Sequence, residues 1–177
     1  MTRALVLAFA MLTLTSGVAS FAQKSFSLFP GTPQGPKQPI NYSHQIHAGK
    51  LGMNCLYCHY GAEKSPIANL PPVGTCMGCH KIAVADRPEI VKLTGYWERG
   101  EQIPWVEVYK LPSHVKFNHV RHVKAGIQCT DCHGPVQQMP VMYAYAPMKM
   151  GWCVGCHRQH ENDAVHPATL DCIACHH

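Results

Sequence analysis

All ten cysteines of this 177-residue chain fall inside five-residue Cys-x-x-Cys-His units. These are Cys55-Leu-Tyr-Cys58-His59, Cys76-Met-Gly-Cys79-His80, Cys129-Thr-Asp-Cys132-His133, Cys153-Val-Gly-Cys156-His157 and Cys172-Ile-Ala-Cys175-His176. On one helical turn positions i, i+3 and i+4 share a face, so two thiols and one imidazole converge on the same side of the backbone. Two such thiols can add across the vinyl groups of a porphyrin, and the histidine one step further round can reach the iron as its proximal ligand. Each unit is a haem clamp, and the expected cofactors are five covalently bound haem c groups.

Zinc ribbons and thioredoxin-like redox pairs also use Cys-x-x-Cys, but neither explains the fifth residue of the unit. With 13 His in 177 residues, a histidine would follow all five pairs by chance about two times in a million. A disulfide framework would leave those five histidines without a role.

The clamps change what a core has to be. With residues 1–22 set aside, about 31 residues serve each haem, so the interior is expected to be mostly porphyrin rather than interlocked Leu and Ile. Fourteen Gly and 14 Pro against five Phe and 14% charged residues suit short helices joined by irregular loops. The expected fold is mainly α with much irregular structure, short helices around each clamp, and at most a small hairpin near Trp105 to Tyr109. Formal net charge is +5, or +4 without Arg3. A ferric haem with two ionised propionates contributes about −1, so five of them bring the protein close to neutral, and no nucleic-acid partner is implied.

The first 22 residues have a basic start at Arg3, an apolar stretch from Ala4 to Leu14, and small residues at Ser20 and Ala22. That pattern predicts a secretory signal cut after Ala22, with an N-terminal anchor as the alternative. Either way the clamps lie outside the cytoplasm.

A duplication organises the remainder. Tyr42-Ser-His44-Gln-Ile-His47 precedes Cys55 as Phe117-Asn-His119-Val-Arg-His122 precedes Cys129, and the offsets His44 to His119, Cys55 to Cys129 and Cys76 to Cys153 are 75, 74 and 77. The expected organisation is a haem module over 23–82 with haems 1 and 2, a connector over 83–114, and a second module over 115–177 with haems 3, 4 and 5. The connector carries the one evident non-haem packing group: Trp97, Ile103, Trp105, Val106, Val108 and Tyr109.

Eight histidines lie outside the clamps: His44, His47, His114, His119, His122, His160, His166 and His177. Two pairs have an aromatic-x-His-x-x-His form that places their imidazoles on neighbouring faces of one turn, where they can serve two different haems. This arrangement resembles the multihaem class III cytochromes, which implies a small class III-like fold with a duplicated haem module and a haem-filled core. Carried over, the resemblance makes His44, His47, His119 and His122 the distal ligands of haems 1, 2, 3 and 4. For haem 5 it points to Met150, and His160, His166 and His177 are the alternatives. A thioether there would raise the potential of that haem. With every axial position filled, no iron keeps an open site for a substrate, and the chain is expected to relay single electrons with no catalytic residues and no small-molecule substrate of its own.

Six strings carry a more specific likeness: Gln38 to Gly49, Cys76 to Lys81, Trp105-Val106, Leu111 to His119, Gln128 to Val136 and Met150 to Arg158. Over residues 38–176, with all five clamps in order, the chain resembles the pentahaem cytochrome subunit of alternative complex III, a bacterial quinol:cytochrome c/oxidase oxidoreductase. The resemblance implies electrons arriving from a quinol site through an iron-sulfur subunit and leaving toward cytochrome c or a terminal oxidase, on the periplasmic side of the inner membrane. A free periplasmic shuttle and a multihaem reductase with one open haem are the alternatives. The run Gly134 to Trp152, with Lys149 its one charge, is expected to be partly covered by a partner subunit or by haem.

Overall fold

The computed structural model describes residues 35–177, so the signal or anchor expected over 1–22 lies outside the described residues. Six α-helices follow in chain order: α1 (Cys55–Cys58), α2 (Val73–His80), α3 (Pro88–Glu98), α4 (His119–Lys124), α5 (Cys129–His133) and α6 (Met150–Gln159). A π-helical segment, Gln45–Lys50, precedes α1, and 3-10 turns occupy Tyr60–Glu63, Val136–Gln138 and Cys172–Ala174. The fold is mainly helical with much irregular structure, as the Gly, Pro and clamp content requires.

No strand forms among the described residues. The hairpin expected near Trp105 to Tyr109 is replaced by a side-chain device. Val106 N–H donates to Gln38 Oε1 at 2.8 Å, and Gln38 Nε2 donates to the Val106 carbonyl at 2.9 Å. One amide side chain thus satisfies the main-chain groups that a second strand would otherwise pair.

Among the described residues conventional packing centres on one place. The longest helix, α3, starts with Pro88 in its first turn, where a missing N–H costs nothing. It packs on α2, and Ile40, Val73, Met77, Leu93 and Ile103 form a buried cluster with Cys76, Ile90, Tyr96 and Trp105 against it. Trp97 and Val106, expected in that group, are instead about half exposed, and Trp97 lies under the Lys81 ammonium, 5.2 Å from the ring centre. Beyond this cluster buried apolar side chains are sparse, and the most completely buried is Met139 at 2% exposure. Most apolar groups instead line a continuous cavity of about 3780 Å³ that runs past all five clamps.

Two backbone approaches bring distant segments together. A Cβ at Gly49 would collide with the Gln137 carbonyl, so the π-helical segment and the Val136–Gln138 turn lie main chain to main chain. Gln45 N–H also donates to the Met139 carbonyl at 3.0 Å. The N-terminus of α4 docks behind the Tyr60–Glu63 turn, where His119 N–H donates to the Pro66 carbonyl at 3.0 Å.

Candidate functional site

Helices of four or five residues have little intrinsic stability, so the shortest clamps depend on local polar caps. At the first clamp the Asn54 side chain accepts from Leu56 N–H at 2.8 Å. At the third, the Asp131 carboxylate accepts from Gln128 N–H at 3.1 Å. The fifth sits on the Cys172–Ala174 turn, where Asp171 accepts from Ile173 N–H at 3.2 Å. The second and fourth clamps ride on the longer helices α2 and α6. All ten thiols are free of disulfides.

Every clamp histidine faces a second imidazole. Ring centres are 6.5 Å apart for His44 and His59, 6.1 Å for His47 and His80, 6.5 Å for His119 and His133, 6.0 Å for His122 and His157, and 5.6 Å for His114 and His176. Two metal–imidazole bonds of about 2 Å, with roughly 1.1 Å from each coordinating nitrogen to its ring centre, put two rings on one iron about 6.2 Å apart. The observed separations scatter around that value, so the residues present fit haem iron held between two histidines. Zinc is not what they fit: among the described residues no three His, Cys, Asp or Glu side chains are arranged around a common metal position.

The tautomers are fixed by the main chain. Nδ1 of His47 donates to the Ser43 carbonyl at 2.8 Å, His59 to Asn69 at 2.8 Å, His80 to Ala83 at 3.0 Å and His119 to Pro66 at 2.9 Å. His122 donates to Asn118 at 2.8 Å, His157 to Thr169 at 2.6 Å and His176 to His114 at 3.2 Å. A proton committed to Nδ1 leaves Nε2 as the free lone pair, the arrangement of a metal-ligating histidine with an outer-shell carbonyl. His44 and His133 differ. Their Nδ1 atoms are buried with no partner among the protein's own groups.

The aromatic residue ahead of each pair has the same job twice. Tyr42 stacks on His47 at 4.5 Å and 21° and meets His44 edge-on at 4.9 Å and 88°. Phe117 stacks on His122 at 4.4 Å and 27° and meets His119 edge-on at 4.8 Å and 89°. One ring thereby sets two imidazole planes at a large mutual angle. The planes across each clamp differ accordingly. They are 12° and 4° apart at the first and third clamps, against 68° and 42° at the second and fourth.

Burial favours the neutral form of His44, His133 and His122. His44 is lowered to about 4 by burial and then by His59, His47 and His133, and His133 is lowered to about 4 by burial and then by His119 and His59. His122 is lowered mainly by burial. Tyr42 is raised to about 12, first by burial and then by Cys58 and Cys76. Neutral imidazole is the form that binds a metal.

The fifth clamp brings in a residue outside the two pairs. Met150 is the first residue of α6 and is 67% exposed, while the ring facing His176 is that of His114. The physical reason is a main-chain docking: Lys116 N–H donates to the Cys175 carbonyl at 2.8 Å, and this lays the 114–116 segment along the last clamp. No His-x-x-His pattern marks His114, so its role is not visible in the spacing. Of the alternatives, His160 closes α6, the His166 main chain is held by Asp163, and His177 donates to the Ile173 carbonyl.

Tyr109, expected only to pack, braces the third clamp. It meets His133 edge-on at 5.0 Å, and its hydroxyl accepts from Tyr145 N–H at 2.9 Å. Gly134, immediately after that clamp, has φ +71°, and a Cβ there would collide with the Tyr145 ring.

Repeated c-type clamps with opposed imidazoles define a multihaem c-type cytochrome, a protein of electron transfer. Comparison with known proteins agrees. Residues 115–177 match the family described as cytochrome c7 and related cytochrome c. The chain is also similar to the multihaem cytochrome c subunit of menaquinone reductase from Nitratidesulfovibrio vulgaris (strain Hildenborough), at 27% identity over 161 residues, covering 79% of this chain and 77% of the relative. Among the described residues no helix is long and apolar enough to cross a membrane.

Proposed function

We propose that the chain is a pentahaem electron-relay subunit of a membrane-associated, quinone-linked complex, working on the periplasmic side of the inner membrane. The observation that carries this reading is the opposition of ten imidazoles across five clamps at 5.6–6.5 Å. Haem c bound at such sites supplies one-electron ferric–ferrous chemistry. The ten clamp cysteines would hold the macrocycles covalently. His59, His80, His133, His157 and His176 would be proximal ligands, with His44, His47, His119, His122 and His114 opposite them. An imidazole from the chain on each side leaves no coordination position for a substrate, which favours a relay over a multihaem reductase.

Membership of a complex, rather than free shuttling, is supported by the similarity to a menaquinone reductase subunit and by the resemblance to alternative complex III. The partners on this reading are an iron-sulfur subunit and a quinone-binding membrane subunit. The two likenesses differ in direction. Alternative complex III oxidises quinol and passes electrons toward cytochrome c or a terminal oxidase, whereas the relative's name puts menaquinone at the receiving end. A tagged chain purified from detergent-solubilised membranes tests the reading. Co-purification with iron-sulfur and quinone-binding subunits is expected, and recovery alone in the soluble periplasmic fraction would contradict it. Haem reduction by added quinol, against menaquinone reduction by the pre-reduced complex, decides the direction.

A further inference from the structure

The clamps do not stand in space in the order they have in sequence. We propose that the five sites form one unbranched row in the order second, first, third, fourth, fifth, so that an electron crossing the subunit exchanges with partners at the second and fifth sites. This rests on the relay reading above.

Four junctions carry the row. Second to first: His47 and His44 are three residues apart on one turn, and Tyr42 touches both rings. The clamp sulfurs agree, since Cys76 lies beside Cys58. Third to fourth repeats that geometry through His119, His122 and Phe117, with Cys132 beside Cys156 and Cys153. First to third is the unexpected link, because it joins the leading clamp of each repeat across the duplication. His119 gives both its main-chain N–H, at 3.0 Å, and its Nδ1, at 2.9 Å, to the carbonyl of Pro66, in the loop that also orients His59 through Asn69. Cys129 lies beside Cys55, and His133 neighbours both His44 and His59. The two imidazoles with buried, unpartnered Nδ1 atoms, His44 and His133, meet at this junction. Fourth to fifth: His157 donates to the Thr169 carbonyl at 2.6 Å, three residues ahead of Cys172, and Cys153 lies beside Cys175.

The two ends are built differently. The second clamp backs onto the buried cluster, with Cys76 packed on it and α3 alongside. At the other end no residue from 161 to 177 is buried. The second site is therefore backed by packed side chains on its α3 side, whereas the fifth has no such backing from 161–177.

Iron positions in the intact haem-loaded protein, located by anomalous scattering, test the row without a substitution. Iron 1 should have irons 2 and 3 as its nearest neighbours, and iron 4 should have irons 3 and 5. Five irons with iron 2 nearest to 3, 4 or 5, or iron 5 nearest to 1, 2 or 3, would overturn the row while leaving the relay reading intact. Fewer than five irons would instead overturn the pentahaem reading. A second measurement follows the couplings: in His114→Met the fifth site's midpoint potential should rise, with a smaller shift at the fourth site and none at the second. An equal or larger shift at the second site would also overturn the order.

Discussion

Replacing His114 by Ala should open one coordination position per chain. The side chain removed is exposed, and its ring faces His176 at 5.6 Å. The carbonyl that orients the His176 Nδ1 proton belongs to the His114 main chain and survives the substitution. Folding and covalent attachment should persist, while one of the five sites becomes five-coordinate. The reduced native protein should bind no carbon monoxide, and the variant should bind about one molecule per chain, because an open axial position is what the ligand needs. Carbon monoxide difference spectra, normalised to a pyridine haemochrome count, measure this directly. Met150→Ala is the control: at 67% exposure its truncation should change stability by less than about 0.5 kcal/mol and open no site. Carbon monoxide binding by the Met150 variant but not by the His114 variant would refute the reasoning.

Three further outcomes follow from packing and protonation. Gly134→Ala forces a Cβ into the Tyr145 ring at φ +71° and should destabilise the protein by about 1–3 kcal/mol in thermal unfolding; an unchanged Tm would contradict it. Leu93→Ala cuts into the one conventional core, where the side chain is 3% exposed, and should cost about 2–5 kcal/mol while leaving haem stoichiometry at five. Burial pushes His44 and His133 below the ordinary imidazole value of 6.5, and iron at Nε2 would exclude the proton further, so the unfolded chain binds more protons than the folded chain below that value. Stability should therefore rise with pH up to that value, level off above it, and be lost as pH falls from 6.5 toward 4. Denaturant midpoints measured across pH 4–8 check the sign, and midpoints that fall with rising pH below 6.5 would contradict it.

Much of the site is legible in the sequence because its chemistry is local. Cys-x-x-Cys-His places three groups on one turn wherever the backbone winds helically, and aromatic-x-His-x-x-His does the same for the opposing rings, so His44, His47, His119 and His122 carry their signal within six residues. His114 does not. It reaches His176 across 62 positions, through the docking of Lys116 on Cys175, and no periodicity encodes that. The Trp105 to Tyr109 run shows the same limit: its alternation fits a strand, but the pairing is supplied by the Gln38 amide. Trp97 looks like a core residue by composition and lies instead beneath Lys81 at the surface. The crossing from first to third clamp is equally hidden, because the duplication predicts contacts within modules and is silent on contacts between them.

Low-temperature electron paramagnetic resonance with near-infrared magnetic circular dichroism on the fully oxidised native protein tests the central claim most directly. Ten opposed imidazoles predict ferric haem that is low-spin with two nitrogen ligands throughout. The second site, with ring planes 68° apart, should give the most anisotropic signal, and the first and third, at 12° and 4°, rhombic ones. A thioether-to-iron charge-transfer band, or a stoichiometric high-spin signal, would contradict the account.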